Sequence, residues 1–218
     1  MLEIILESLP AAKVIDGDGT YVRLDLSADN PGLPIDADAR KWQHYIDDCC
    51  RANHAMVAYG GYLEKRNLYR RSTIFNDGDS KQRDVHIGID LWTNAGTKVF
   101  AALAGKVHSF DYNTGLGNYG PTIILEHELS GRRFYSLYGH LSLSSIEEIE
   151  IGDVFNAGEQ MAMLGDASVN GDYAPHLHFQ IIHDIENNFG DYPGVCSHED
   201  LPYYIKNCPD PNLLLKLK

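Results

Sequence analysis

Short runs of β-branched and aromatic residues alternate with glycines through the middle of the chain. Three such runs are Thr97–Leu103, Thr122–His127 and Arg133–Tyr138, and the glycines that separate or flank them are at positions 96, 105, 117, 120, 131 and 139. Runs of this length and composition between glycine turns are typical of β-strands. Short strands with glycine turns predict a mainly β fold of the sandwich or barrel type.

Two segments share a pattern of their own, residues 95–107 and residues 151–165. Each alternates a glycine turn with a short apolar strand, which resembles the half-barrel hairpins of lipoyl and biotinyl carrier domains. A carrier domain would hold its modified lysine at the tip of a hairpin turn, and the sequence offers no such tip. We therefore interpret the similarity as a duplication within the fold.

The N-terminal third has a different periodicity. Between residues 38 and 64, apolar positions recur at spacings of three, four and seven, at Trp42, Tyr45, Ile46, Cys49, Met56 and Val57. This spacing predicts an amphipathic helix over about 38–64, which Gly60 and Gly61 would end. We favour a helix that packs on the β core to bury its apolar stripe. The alternative is a wall or a regulatory cover for a substrate cleft.

At 218 residues, the chain suits one compact domain with additions. We expect an N-terminal extension at 1–80, a β domain at 81–184 and a C-terminal tail at 185–218. The tail is too short to bury a core of its own.

Composition narrows the possible partners and surroundings. The net charge of −13 argues against nucleic acid, because neutralising phosphates needs clustered Lys and Arg. No stretch has the length or character of a membrane span or a cationic leader, so we expect no membrane insertion and a cytoplasmic protein as written. It would be extracellular or periplasmic if an export signal lies outside this sequence. Four cysteines do not form a disulfide framework for a chain of this size, and the sequence indicates no oligomeric state.

Histidines and one aspartate supply the candidate chemistry, at His86 and Asp90, at His140, and in the sequence His176-Leu-His178. Zinc takes imidazole nitrogen and carboxylate oxygen, and a catalytic site commonly has three protein ligands. On a strand, residues i and i+2 share a face with Cα atoms roughly 6.6 Å apart, so both histidines of the HxH sequence can enter one site. His86, Asp90 and one of those two histidines could bind the metal, which leaves two histidines for proton transfer.

The His86–Asp90 spacing would also suit one face of a helix, but the residues between favour extended chain. Ile87 and Ile89 are β-branched, and Gly88 lies between them. On a straight strand the two Cα atoms would be roughly 13 Å apart. We therefore predict a bend or bulge at Gly88.

Residues 83–184 resemble the lysostaphin/LytM-type zinc metallopeptidases, the glycyl-glycine and peptidoglycan endopeptidase family. The HxxxD, (Y)xHL and HxH motifs of that family match residues 86–90, 138–141 and 176–178. The implied fold is the family's duplicated hybrid motif, a β-barrel or sandwich, here with an added N-terminal helical region that makes the chain α+β overall.

The resemblance also implies roles for the five residues. One Zn²⁺ ion per chain would be bound by His86, Asp90 and His178, while His140 and His176 would orient water and assist the proton transfers. We expect a zinc-dependent metalloendopeptidase whose metal-activated water hydrolyses peptide bonds of peptidoglycan or of peptidoglycan fragments.

Three alternatives stay open at this stage. One is a non-catalytic or latent binding or regulatory module, and a second is an intracellular hydrolase of another small peptide. A third is a phosphocarrier in which His140 and His176 face each other, although it leaves His86 and Asp90 unexplained. A latent site could arise if a carboxylate of the turn at residues 76–79 reached the metal.

The remaining histidines are predicted to have structural or surface roles, although His108 and His127 could line the wall of the cleft. The six are His44, His54, His108, His127, His183 and His198.

Overall fold

The computed structural model describes residues 2–17, 19–34, 37–67 and 82–218. Its helices are α1 (Leu2–Ser8), α2 (Ala39–Ala52), α3 (Leu201–Asn207) and α4 (Asn212–Leu215), with one 3₁₀ turn at Leu143–Ile146. Its strands are β1 (Tyr21–Arg23), β2 (Val57–Gly60), β3 (Arg83–His86), β4 (Ile89–Trp92), β5 (Lys98–Phe100), β6 (Gly105–Asn113), β7 (Gly120–Leu129), β8 (Arg132–Gly139), β9 (Val154–Phe155), β10 (Gln160–Met163), β11 (His176–Ile182) and β12 (Val195–Ser197). The predicted mainly β class is confirmed. The turn at 76–79 lies outside the described residues.

One eight-stranded sheet in the order β1-β2-β4-β11-β8-β7-β6-β9 dominates the fold. Its two end strands, β1 and β9, are not paired with each other in the described part of the chain, so the sheet is open there. Strand β11 lies near its middle, antiparallel to β4 on one side and to β8 on the other. All seven residues of β11 are buried, as expected of a strand covered on both faces.

The two segments of similar sequence pair with each other. Strand β5 of the first pairs with β10 of the second, and β6 of the first pairs with β9 of the second. The first strand of each segment therefore pairs with the second strand of the other segment. This arrangement explains why the same alternation of glycine turns and apolar strands occurs twice.

The main hydrophobic core joins both ends of the described chain to the sheet. Leu2 and Leu6 of α1 and Leu214 and Leu215 of α4 are buried in the same cluster as Phe179 of β11. Because the side chains of these short helices bury their apolar surface against the sheet, packing rather than helix propensity stabilises them.

The predicted helix is real but shorter than expected, so the 38–64 bounds were wrong. Helix α2 begins after Asp38, whose carboxylate accepts a hydrogen bond from the backbone N–H of Lys41, and ends at Ala52. His54 then adopts φ of +50°, which turns the chain out of the helix. Val57–Gly60 becomes strand β2 because it pairs with β4, a long-range interaction that overrides the helical spacing.

Most of the predicted strand positions are confirmed. Residues 122–127 and 133–138 lie inside β7 and β8, and His176 and His178 lie on one strand. In 97–103 only Lys98–Phe100 is a strand. All four cysteines are free of disulfides, and in the described ranges no helix is long and apolar enough to cross a bilayer. The three-part division of the chain stays a prediction.

We predict that His127 makes the free energy of unfolding depend on pH. The residue is 2 % exposed, and its Nε2 lies 2.6 Å from Ser136 Oγ. Burial lowers the pKa of His127 below 6.5 in the folded protein, so as the pH falls the unfolded chain binds a proton before the folded protein does. The contribution of neutral His127 to stability is therefore present above pH 6.5 and is lost as the pH falls toward the lowered pKa of the folded state.

The measurement is denaturant unfolding of wild-type protein and His127→Gln between pH 7.5 and 5, in the presence of a chelator. The stability of the variant should decline less steeply on acidification. His44→Gln, at an exposed position of α2, controls for the loss of an imidazole. If the free energy of unfolding fell equally steeply with pH in His127→Gln and in wild type, the prediction would be contradicted.

Candidate metal centre

The register of the central strands assembles the site. In the pairing of β11 with β4, His178 lies directly opposite Asp90, and in its pairing with β8 it lies opposite Gly139. Directly opposite residues of neighbouring strands project to the same face. His86 ends strand β3, where it pairs with Val195 of β12. Residues about ninety positions apart in the sequence therefore meet in one place.

Three side chains present ligand atoms at spacings that suit one metal ion. His86 Nε2 and His178 Nδ1 each lie 3.2 Å from Asp90 Oδ1, and the two nitrogens are 2.9 Å apart. Tetrahedral ligands about 2.0–2.1 Å from zinc are about 3.3 Å from one another. All three residues are buried. The donor set of two imidazoles and one carboxylate therefore fits a zinc ion.

The predicted interruption at Gly88 is present, but the reason for the glycine is space. Strand β3 ends at His86 and β4 begins at Ile89, and Gly88 is not among the glycines with positive φ. A Cβ added at Gly88 would lie 2.5 Å from the imidazole of His178. Glycine at this position lets the backbone approach a candidate ligand closely.

Each of the two candidate ligand imidazoles is oriented by a hydrogen bond at its other nitrogen. Nδ1 of His86 lies 3.0 Å from the carbonyl oxygen of Gly61, and Nε2 of His178 lies 2.9 Å from Oε1 of Gln180. Since both partners accept, these nitrogens carry the protons, and Nε2 of His86 and Nδ1 of His178 carry the lone pairs. The lone pairs are the ones that a metal requires.

His140 and His176 lie beside the three candidate ligand residues, with their rings 4.1 Å apart between centroids. Nδ1 of His140 donates to the carbonyl of Asn170 at 2.9 Å, and Nδ1 of His176 donates to the carbonyl of Ala174 at 2.8 Å. Nε2 is thus the unprotonated nitrogen of both neutral rings. His176 Nε2 is 3.9 Å from Asp90 Oδ1.

The backbone of His140 is strained, with φ of +63°. Two backbone hydrogen bonds hold it there, from its own N–H to the carbonyl of Tyr119 and to its carbonyl from the N–H of Gly165, both of 2.9 Å. Residues in this region of φ are uncommon outside glycine, and the surrounding structure must enforce them. Strand β8 ends at Gly139, so the unusual φ of His140 turns the chain away from the direction of the strand at this residue.

Burial controls the charges in the site. It lowers the pKa of His86 to about 4, and it lowers the pKa of His176 and, more strongly, of His140. Burial alone would raise the pKa of Asp90, but His86 and Arg66 more than offset it and hold that pKa well below its usual range. At neutral pH Asp90 is therefore a carboxylate and the rings of His86, His140 and His176 are neutral, and metal binding needs such protonation states in its ligands.

A cleft opens over these residues. Trp42 and Ile46 of α2 line one part of it, and Tyr192 and Pro193 line another. Ile46 is also buried in a cluster with Trp92, so α2 both packs on the sheet and contributes to the wall of the cleft. Neither His108 nor His127 is among the lining residues in the described part of the chain.

Several residues of the site were not predicted from the sequence. Gln180 had a signal, because period-two alternation places it on the same face as His178. Tyr119 contacts His178, with its hydroxyl 3.4 Å from Nε2, and it lies in a glycine-rich turn that carried no sign of this contact. Gly61 and Arg66 lie more than twenty residues before Asp90, and nothing in their spacing pointed to the site.

Comparison with known proteins identifies a family that part of the chain matches. The family model for peptidase family M23 matches residues 84–189, which include all five predicted site residues. Residues 84–189 belong to peptidase family M23.

Two curated relatives in this family are lysostaphins, from Staphylococcus staphylolyticus and Staphylococcus simulans. Each is 32 % identical over 99 residues, which cover 44 % of this chain and 18 % of the relative. The chain thus matches less than a fifth of the length of these relatives.

Two solved structures are also similar to this chain. The catalytic domain of the antimicrobial peptidase lysostaphin from Staphylococcus simulans is 24 % identical, with a TM-score of 0.44, covering 77 % of this chain and 98 % of that one. A zinc-containing peptidase from Vibrio cholerae is 26 % identical, with a TM-score of 0.36, covering 46 % of this chain and 28 % of that one.

We predict that Gly88→Ala weakens zinc binding. The added methyl group would displace the imidazole of His178, so the three ligand atoms could no longer approach one another closely. We expect the zinc affinity to fall about tenfold or more, as it does when the orientation of a ligand is disturbed. Competition with a chromophoric chelator measures this affinity.

Gly96→Ala is a matched control, because its φ of +79° makes alanine unfavourable there while the added Cβ meets no atom within 4 Å. It should strain the backbone without changing zinc affinity. If Gly88→Ala bound zinc as tightly as Gly96→Ala, the close approach at Gly88 would have no part in forming the site.

Proposed function

We propose that this M23 chain is a zinc-dependent metalloendopeptidase that hydrolyses peptide bonds of peptidoglycan or of peptidoglycan-derived peptides. The main support is the convergence of His86, Asp90 and His178 in one buried cluster beside His140 and His176. Membership of a peptidase family and the similarity to lysostaphins also support a hydrolase of this class.

In this proposal His86, Asp90 and His178 hold the zinc ion. When bound, zinc supplies a Lewis acid that polarises a peptide carbonyl and lowers the pKa of a water molecule. Asp90 would contribute one negative charge through Oδ1, and metal binding would require both histidine ligands to be neutral.

His140 and His176 are the proton-transfer residues of the proposal. Both are neutral at physiological pH, and both expose an unprotonated Nε2 because their Nδ1 atoms donate to backbone carbonyls. Such a nitrogen can accept a proton from the water that attacks the peptide carbonyl. The resulting imidazolium can then return the proton to the leaving amine.

The lining of the cleft supports the binding of a peptide. Its lining includes the rings of Trp42, Tyr119 and Tyr173 beside the ligand residues. Aromatic and apolar surfaces with a few fixed polar groups are typical of binding sites. We assign the substrate-side wall of the cleft in part to α2, which lies outside the stretch matched by the family model.

We predict that single alanine substitutions separate metal binding from catalysis. His178→Ala and Asp90→Ala each remove a ligand and should lose both zinc and cleavage. His176→Ala should retain about one zinc per chain and lose about 10²–10⁴-fold in turnover, the usual contribution of a general acid or base.

The measurements are metal content after dialysis and cleavage of pentaglycine and of peptidoglycan-type peptides, with and without chelator. His198→Ala, at an exposed histidine, is the control. Full zinc content in Asp90→Ala would overturn the ligand assignment. Bound zinc in wild-type protein with no cleavage of either substrate would instead favour a binding module.

A further inference from the structure

A short segment before β3, residues 61–66, runs alongside the strand that carries His86. The backbone N–H of Leu63 donates to the carbonyl of His86, and the N–H of His86 donates to the carbonyl of Glu64, both at 2.9 Å. The N–H of Arg66 donates to the carbonyl of Asp84 at 2.8 Å. We call residues 61–66 the supporting segment.

The supporting segment contacts two of the three ligand residues. The carbonyl of Gly61 accepts the hydrogen bond from His86 Nδ1, and the guanidinium of Arg66 donates to Asp90 Oδ2 at 2.5 Å. Gly61 has φ of +108°, and a Cβ there would lie 2.0 Å from Arg66 Nη2 and 2.8 Å from His86 Nδ1. The tight packing requires glycine at this position.

Arg66 is itself fixed on several sides. Its Nε donates to Glu64 Oε2 at 2.6 Å, and its guanidinium lies 5.5 Å from the centre of the Trp92 ring. Glu64 is held in turn by the backbone N–H of Leu26, which donates to its Oε1 at 3.2 Å. Arg66 and Asp90 both have side chains only 2 % exposed, so this ion pair is shielded from water and salt.

The two oxygens of Asp90 therefore have different surroundings. Oδ2 is engaged by Arg66, whereas Oδ1 faces His86 and His178 at 3.2 Å. A carboxylate with one oxygen held by a guanidinium presents only the other oxygen to a metal. The guanidinium also fixes the orientation of the carboxylate, as hydrogen-bond partners outside the ligand set commonly do for metal ligands.

We propose that Arg66 is a positioning residue for the metal centre: it restricts Asp90 to a single ligand oxygen and, with Gly61, makes the supporting segment part of the site. The inference rests on the proposed zinc function, but it concerns metal binding rather than peptide hydrolysis. It extends the centre to residues that lie before the matched stretch 84–189.

The test compares zinc affinity and the cobalt(II) absorption spectrum of purified wild-type protein with Arg66→Met, Arg66→Lys and Glu64→Gln. We expect Arg66→Met to bind zinc about 10–100-fold more weakly, the usual cost of losing a group that orients a ligand. Its cobalt(II) bands should weaken and shift, because a carboxylate that is free to bind through both oxygens raises the coordination number.

Arg66→Lys and Glu64→Gln are more conservative changes, and they keep the test valid if Arg66→Met does not fold. Arg66→Lys keeps the positive charge but loses the fork that contacts Glu64 and Asp90 together, so it should restore affinity only in part. Glu64→Gln should show a smaller loss than Arg66→Met. Arg51→Met removes an arginine from the surface of α2, where its side chain is 75 % exposed, and should bind zinc like wild type.

Zinc affinities within twofold of wild type and unchanged cobalt(II) spectra in folded Arg66→Lys and Arg66→Met would overturn the inference. Because no substrate is used, this failure is distinct from failure of the proposed peptidase, which would appear as zinc-loaded wild-type protein without cleavage. Wild-type protein that bound neither metal would overturn both proposals.

Discussion

The site depends on one buried carboxylate. Asp90 has 2 % exposure, and a buried carboxylate is tolerated only when charges and hydrogen-bond donors keep it ionised. Arg66 supplies a full positive charge at Oδ2, while His86 and His178 surround Oδ1. Without these partners Asp90 would take up a proton, and the candidate cluster of His86, Asp90 and His178 would lose its carboxylate.

The central strands of the large sheet fix most of the site residues, and β3 of a separate two-stranded sheet adds His86. Strand β11 has partners on both sides, so its backbone groups are satisfied and its side chains can be held at fixed positions. His178 and Asp90 face each other across the β11–β4 ladder, and His140 follows the last residue of β8. Ligand atoms within 3.2 Å of one another need a rigid framework of this kind, since an error of one residue in register would turn a side chain to the other face.

Outside the matched family stretch, the N-terminal region contributes more than an added helix. It pairs β2 with β4, places Trp42 and Ile46 at the cleft and brings Gly61, Glu64 and Arg66 to the candidate ligand residues. Under the proposed function, the family motifs supply the metal ligands and proton-transfer residues. The preceding segment supplies the hydrogen bonds and charge that orient those ligands.

The sequence by itself determined the mainly β class, the extended chain at 86–90 and the candidate status of the five histidine and aspartate residues. These follow from local rules, because β-branched runs, glycine turns and alternating side chains act over a few residues. Only the tertiary structure decided that 57–60 is a strand, that Gly88 is needed for space beside His178 and that Arg66 reaches Asp90. Each of these depends on contacts between residues far apart in the chain, and no periodicity in one sequence records which distant strands will pair.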